Sequence, residues 1–133
     1  MAGLSDYAEE AILDDIFNIS PWTKPADMYV ALFTAPPSDA GGGTEVSGNA
    51  YARVQVTNDG TTWSRSASTV SNGVAITFPS PSPSGWGTVT HVALYDAASS
   101  GNLICWAALT SNLVTAAGTA PNFPSGDLTF TLD

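Results

Sequence analysis

The chain has 133 residues, of which 44% are apolar and only 11% are charged. This length suits one domain with one hydrophobic core, so we expect a single domain over residues 1–133. Twelve acidic residues oppose three basic ones, Lys24, Arg53 and Arg65, which gives a formal net charge of −9. This balance argues against nucleic acid or a membrane surface as a partner, because both require converging Lys or Arg side chains.

The sequence also argues against a membrane span and a disulfide. No stretch reaches the roughly 20 apolar residues of a transmembrane helix, and the N-terminal residues are acidic and polar, unlike a secretory signal. Cys105 is the only cysteine and lies in the apolar run LICWAAL. We therefore predict a buried, unreactive thiol in a protein made in a reducing cytoplasm.

The first predicted element is a helix over residues 4–17. Apolar residues recur there at helical spacing, and two more widen the stripe: Leu4, Ala8, Ala11, Ile12 and Ile16, with Leu13 and Phe17. Ser5 is the predicted N-cap. We expect the apolar face of this helix to lie against the sheet or against a neighbouring subunit.

From Met28 onward the apolar pattern changes to the period of two that is typical of strands. Strands are predicted at 28–34, 51–57, 73–78, 88–96, 102–110 and 127–133, with a weaker one at 112–116. The first of these is apolar at nearly every position, so it should be covered on both faces. The connections are a glycine-rich loop (35–49), a polar stretch (58–72), a proline-rich segment (79–87) and a hairpin loop (97–101).

These elements predict a mainly β fold, a single β-sandwich with jelly-roll or Greek-key connections and one short N-terminal α-helix. The order in which the strands connect does not follow from the sequence. Strands run from about residue 28 to the C-terminus.

The side chains that enzymes use most often are scarce. The chain has one His, one Cys and one Lys, whereas acid–base and nucleophilic catalysis draw on these types and on paired carboxylates. His91 alternates in phase with strand residues, which favours a packed or interfacial histidine. Asp39 and Glu45 flank a glycine-rich loop and offer oxygen ligands for calcium, but a solvated loop is the favoured interpretation. We predict no catalytic residue, no cofactor and no metal.

Three tryptophans lie in predicted loops and leave a sugar-binding alternative open. Trp22, Trp63 and Trp86 could stack on sugar rings, as in carbohydrate-binding modules. More often such residues cap a core or become buried at protein interfaces. Trp106, within an apolar strand, is predicted to be part of the core.

Taken together, four stretches resemble a family of small virion proteins of tailed bacteriophages. Members are described as tail-fibre-like and, in some cases, as head decoration proteins. The stretches cover well over half of the chain and read GLSDYAEEAILDDIF, MYVALFTAPPSDAGGGTEVSGNAYARV, GWGTVTHVALYDAASSGNLICWAAL and DLTFTLD. The resemblance implies a non-enzymatic structural protein of the virion, made in the host cytoplasm.

Two roles are compatible with this resemblance. In the first, a capsid decoration or cement protein sits as a homotrimer on the capsid exterior and bridges major capsid subunits by avidity. In the second, the protein belongs to the tail fibre or tail tip (baseplate) and contacts the host. Decoration ranks first here, because fibres usually need long repetitive shafts and this chain has no repeat.

Three parts of the chain are predicted to contact other subunits. The first is the helix face around Ile12 and Phe17. The other two are the long loop, which contains Asp39 and Glu45, and the segment with Trp63 and Arg65. Loops that a rigid scaffold presents are common binding elements.

The two arginines could each form a two-point ion pair with an acidic partner. An intramolecular pair is the alternative, because the chain holds twelve acidic residues. The intramolecular alternative is favoured for Arg53, which projects from a predicted strand.

Overall fold

The structure is a computed structural model that describes residues 3–132. It contains one helix and eleven strands in chain order, namely β1 Gly3–Leu4, α1 Asp6–Ile16, β2 Asp27–Ala35, β3 Thr44–Glu45, β4 Val54–Thr57, β5 Trp63–Ser66, β6 Thr69–Asn72, β7 Ile76–Thr77, β8 Thr88–Tyr95, β9 Leu103–Val114, β10 Asn122–Phe123 and β11 Thr129–Thr131. The prediction of a mainly β fold with one short N-terminal helix is confirmed.

The largest sheet has six antiparallel strands in the order β1-β9-β8-β2, with β3 and β4 both paired to the outer edge of β2. Strand β2 is covered on both faces, as predicted. Val30 and Leu32 belong to the main hydrophobic core, whereas Ala31 and Phe33 pack in a second cluster on the opposite face. The alternation follows from the two-residue period of a strand.

Two smaller antiparallel sheets form the second layer. One is β5-β6-β11 and the other pairs β7 with β10. Their buried residues Ile76, Phe123 and Phe130 join the same core as Val30 and Leu32 of the large sheet. Two layers of sheet around one shared core give a sandwich-like arrangement.

The helix is shorter than predicted, and within it only the middle of the predicted apolar stripe meets the core. It begins after the predicted cap Ser5, whose Oγ accepts a hydrogen bond from the Ala8 N–H at 3.2 Å. Leu4 lies outside the helix because its backbone pairs with Cys105 of β9. Of the predicted apolar stripe, Ala8 is buried, Ala11 and Ile12 are partly buried, and Ile16 is exposed. The helix therefore packs through Ala8, Ala11 and Ile12.

Several strand boundaries also differ from those predicted. The stretch 58–72, predicted to be a polar connection, contains the hairpin β5–β6. Its Ser and Thr residues give no apolar alternation, and β6 is held in place by pairing with β11. The weak strand at 112–116 is the continuation of β9. The strand predicted at 73–78 shortens to Ile76–Thr77, and the strand predicted at 127–133 shortens to Thr129–Thr131, with Leu132 exposed rather than facing inward.

The proline-rich segment 79–87, predicted to be a connection, contains no strand. It brings Trp86 into the core. Trp86 is buried, and its Nε1 donates a hydrogen bond to the Asn49 carbonyl at 3.0 Å. Its ring meets Tyr51 edge to face at 5.3 Å between ring centres. This contact ties the proline-rich segment to the end of the glycine-rich loop.

Candidate functional site

The end of α1 presents large apolar side chains to solvent. Leu13, Ile16 and Phe17 are 53%, 64% and 69% exposed, and Ile19 just beyond the helix is 73% exposed. We call these four residues the helix tip. Residues 13, 16 and 17 share one face by their i, i+3 and i+4 spacing, and Ala8 lies buried on the opposite face. Soluble domains usually bury most side chains of this kind, so the helix tip is a candidate contact surface.

The helix tip is flanked by acidic residues. Glu9 and Glu10 precede Leu13 by one helical turn and are exposed. The last turn of α1 carries no basic residue. Lys24 lies near the end of the helix, but its Nζ is 3.6 Å from Asp15 Oδ2 and so partly neutralises that carboxylate. The tip therefore combines apolar side chains with net negative charge.

An apolar cleft of about 460 Å³ lies between the two layers. The large sheet supplies Met28, Leu94 and Ile104 to its walls, and the three-stranded sheet supplies Trp63, Val70 and Phe130. Arg65 is the one charged residue among those that line it. We call this cavity the apolar cleft. Its size falls within the range of about 300 to 1,000 Å³ that is usual for binding pockets.

The predicted pair Trp63 and Arg65 therefore borders this cleft. Trp63 is partly buried, and among the described residues its Nε1 has no hydrogen-bond partner although the atom itself is buried. Arg65 is exposed and donates one hydrogen bond from Nη1 to the Ala67 carbonyl at 2.9 Å. Most of the hydrogen-bonding capacity of its guanidinium is left for another group.

The predicted residues of the long loop are held by contacts within the chain. Glu45 forms an ion pair with Arg53, with 2.8 Å between Arg53 Nη2 and Glu45 Oε2, which confirms the favoured intramolecular alternative for Arg53. Asp39 is exposed, and its Oδ1 accepts a hydrogen bond from Trp106 Nε1 at 3.1 Å. Trp106 is buried in the smaller core cluster, as predicted. Asp39 and Glu45 thus have separate partners and do not converge on one point.

The side chains of His91 and Cys105 are placed for packing. His91 shares a hydrogen bond of 2.8 Å between its Nδ1 and the Thr90 hydroxyl, and burial lowers the pKa of its imidazole. Burial raises the pKa of the Cys105 thiol to about 12, so this group stays protonated and unreactive near neutrality. Within residues 3–132, no group of three or more His, Cys, Asp or Glu side chains is arranged to hold a metal ion.

Residues 3–131 match the family described as "Podophage GP4 fiber I protein gp80". No curated protein matches the chain. Within the part of the chain that the structure describes, no helix is long and apolar enough to cross a membrane. The family match includes the helix tip, the ion pair of the long loop and all of the cleft-lining residues except Leu132. The chain therefore belongs to this family of podophage fibre proteins and is a structural component of a bacteriophage virion.

Proposed function

We propose that the protein is a non-enzymatic component of the tail fibre or tail tip, where it acts by binding other virion proteins. The observation that supports this most strongly is the family match over residues 3–131, because the family is described as a fibre protein. From the sequence alone, capsid decoration ranks first. The family description favours the tail-fibre alternative, so the fibre role takes its place as the leading hypothesis.

The exposed surfaces suit a protein that assembles with others. Apolar side chains such as Phe17 and Ile19 are costly to leave in water and become favourable when a partner covers them. The apolar cleft offers a second surface of the same kind, with Trp63 and Arg65 at its border. Tryptophan and arginine are enriched among residues that dominate binding energy at protein interfaces.

The positions of the tryptophans do not favour the carbohydrate-binding alternative. Stacking on a sugar requires an open aromatic face, but Trp86 is buried in the core. Trp22 and Trp63 are partly buried, and the Nε1 atoms of both are shielded from solvent. These rings are placed mainly to pack against the protein.

Fractionation of disrupted phage particles tests the proposed location. Tails and emptied heads are separated on a density gradient, and the protein is quantified in each fraction by mass spectrometry. The proposal expects the protein to follow the tail fraction in constant ratio to a tail protein. Enrichment with the major capsid protein in the head fraction would instead support decoration, and absence from purified particles would contradict both roles.

A further inference from the structure

The helix tip and the apolar cleft are complementary in two respects. Both expose apolar side chains that the same chain does not cover. The acidic residues Glu9 and Glu10 flank the tip, whereas Arg65 is the one charged residue that lines the cleft. A partner for the cleft should therefore be an apolar element with carboxylates beside it, and this chain itself carries such an element.

We infer that the helix tip of one copy docks into the apolar cleft of a second copy. In this contact Phe17, Ile16 and Leu13 enter the cleft, and Arg65 pairs with Glu9 or Glu10 of the incoming helix. A helix laid into an apolar groove through residues spaced i, i+3 and i+4 is a common mode of recognition. Arg65 suits the charged part of the contact because its guanidinium makes one hydrogen bond within the chain.

Charge opposes the simpler contact of one helix tip against another. Helix α1 carries five carboxylates, at residues 6, 9, 10, 14 and 15, and no basic residue. Two tips face to face would bring Glu9 and Glu10 of both copies together, and Lys24 on each copy is already paired with Asp15. Like charges at an interface oppose binding. The cleft of a second copy is the surface of this chain that offers both apolar walls and a cation.

The contact uses different surfaces on the two copies, so it is a heterologous one. Each copy keeps one surface free after binding, and the contact can therefore repeat from copy to copy. Such contacts generate a closed ring when the rotation between copies closes and an open filament when it does not. The contact does not depend on whether the protein lies on the tail or on the head.

Mixing two monomeric variants tests the inference directly. The tip variant, Leu13→Ser/Phe17→Ser, keeps its cleft, and the cleft variant, Arg65→Glu/Ser68→Trp, keeps its tip. All four positions are exposed, so folding should be unaffected, as circular dichroism would verify. Val114→Ser, at another exposed apolar position, is the matched control. Association is measured for each protein alone and for the mixture by sedimentation velocity over a range of concentrations.

The expected result is concentration-dependent association of the wild type and of the control, weakened by about tenfold or more in each variant alone. The mixture should form a one-to-one dimer that does not grow further, because the two surfaces left over are both altered. A wild type that stays monomeric at millimolar concentration, or a mixture that stays monomeric, would overturn the inference. A monomeric wild type that still fractionates with tails would leave the proposed function standing.

A charge exchange tests the ion pair separately. The exchange is made where only one contact can form. One partner carries Leu13→Ser/Phe17→Ser, which disables its tip, and the other carries Ser68→Trp, which blocks its cleft. Arg65→Glu in the first partner should weaken the dimer, and so should Glu9→Lys/Glu10→Lys in the second. Both changes together should restore it, because the lysines of one copy then face the glutamate of the other. A doubly changed pair that binds no more strongly than either singly changed pair would contradict the predicted pairing.

Discussion

Arg53 and Glu45 form a two-point ion pair within the chain. Arg53 Nε lies 2.8 Å from Glu45 Oε1, and Nη2 lies 2.8 Å from Oε2. The same guanidinium donates from Nη1 to the carbonyls of Ala97 and Ser100 at 2.9 and 2.8 Å and stacks 3.8 Å from the centre of the Tyr95 ring. One side chain thus joins the long loop to the β8–β9 connection. The planar, forked guanidinium makes this possible.

Replacing Arg53 with lysine should destabilise the protein, although the charge is kept. An ammonium cannot satisfy two carboxylate oxygens and two carbonyls with the same geometry. The side chain of Arg53 is 7% exposed and that of Glu45 is 26% exposed. Because Glu45 is partly solvated, we expect a loss of about 2 kcal/mol, below the roughly 3 to 5 kcal/mol of fully buried pairs. Urea denaturation of the two proteins measures this difference in the free energy of unfolding.

The other arginine provides the control for this measurement. Arg65 is exposed and makes one hydrogen bond, to Ala67. Arg65→Lys should change the free energy of unfolding by no more than about 0.5 kcal/mol. Equal effects of the two substitutions would show that the Arg53 contacts do not stabilise the loop.

Tyr51→Phe should also destabilise the protein, because the hydroxyl bridges two groups. It donates to Glu45 Oε1 at 2.9 Å and accepts from the Leu32 N–H at 3.0 Å. Its loss leaves a strand amide without its acceptor, at a cost of about 2 kcal/mol. Tyr7→Phe, at an exposed position, is the matched control and should be nearly neutral. Equal unfolding midpoints for the two variants would contradict the prediction.

The pH dependence of stability should reveal the ionisation of the Tyr51 hydroxyl. Burial raises the pKa of Tyr51 above its ordinary value of 10.0. A group whose pKa is higher in the folded state than in the unfolded chain contributes its full stabilisation while the pH is below the unfolded-state pKa. The contribution is lost as the pH rises from the unfolded-state pKa through the folded-state pKa. The free energy of unfolding should therefore fall between about pH 10 and 12, and less steeply in Tyr51→Phe. Parallel curves for the two proteins would contradict this assignment.

Asn72 should be among the most sensitive polar positions. It is fully buried, its Nδ2 donates to the Val74 and Pro124 carbonyls at 2.8 and 2.9 Å, and its Oδ1 accepts from the Leu128 N–H at 2.9 Å. Asn72→Ala leaves these backbone groups unsatisfied, so we expect a loss of about 3 kcal/mol. Asn112→Ala, at an exposed position of β9, should be nearly neutral. Similar thermal midpoints for the two variants would exclude this role.

The Cys105 thiol should resist alkylation in the native protein. It is buried, and its pKa is raised to about 12, so both access and the thiolate fraction are low at about pH 8. Iodoacetamide followed by mass spectrometry should show no modification before unfolding and one modified thiol per chain in denaturant. Rapid, complete labelling of the native protein would show that the β1–β9 edge opens in solution.

The sequence predicted the elements whose pattern is set locally. Strands β2, β8 and β9 follow from the sequence because their apolar residues are continuous or alternate, and the cap Ser5 follows because a cap is a local motif. The hairpin β5–β6 does not follow from it, because its Ser and Thr residues lack an apolar period. Strand β6 of this hairpin pairs with the distant β11, and β5 pairs with β6.

The candidate surfaces were predictable only in part. Residue type and position single out Phe17, Trp63 and Arg65, and the structure places all three at exposed or cleft-lining sites. Ile12 is partly buried on the face of α1 that turns toward the sheet. The cleft forms where the two layers meet through long-range contacts, so no local sequence pattern predicts it. The helical spacing of Leu13 and Phe17 shows only that the two side chains share one face of α1. That spacing fits a face buried in the core as well as a face exposed to solvent.

A cryo-EM reconstruction of the intact particle tests most directly whether this fibre-family protein works on the tail through its apolar surfaces. We expect density that fits the sandwich on the tail fibre or tail tip, with the helix tip covered by a neighbouring chain. Density confined to the capsid exterior, or a helix tip that faces solvent in the assembled particle, would contradict it.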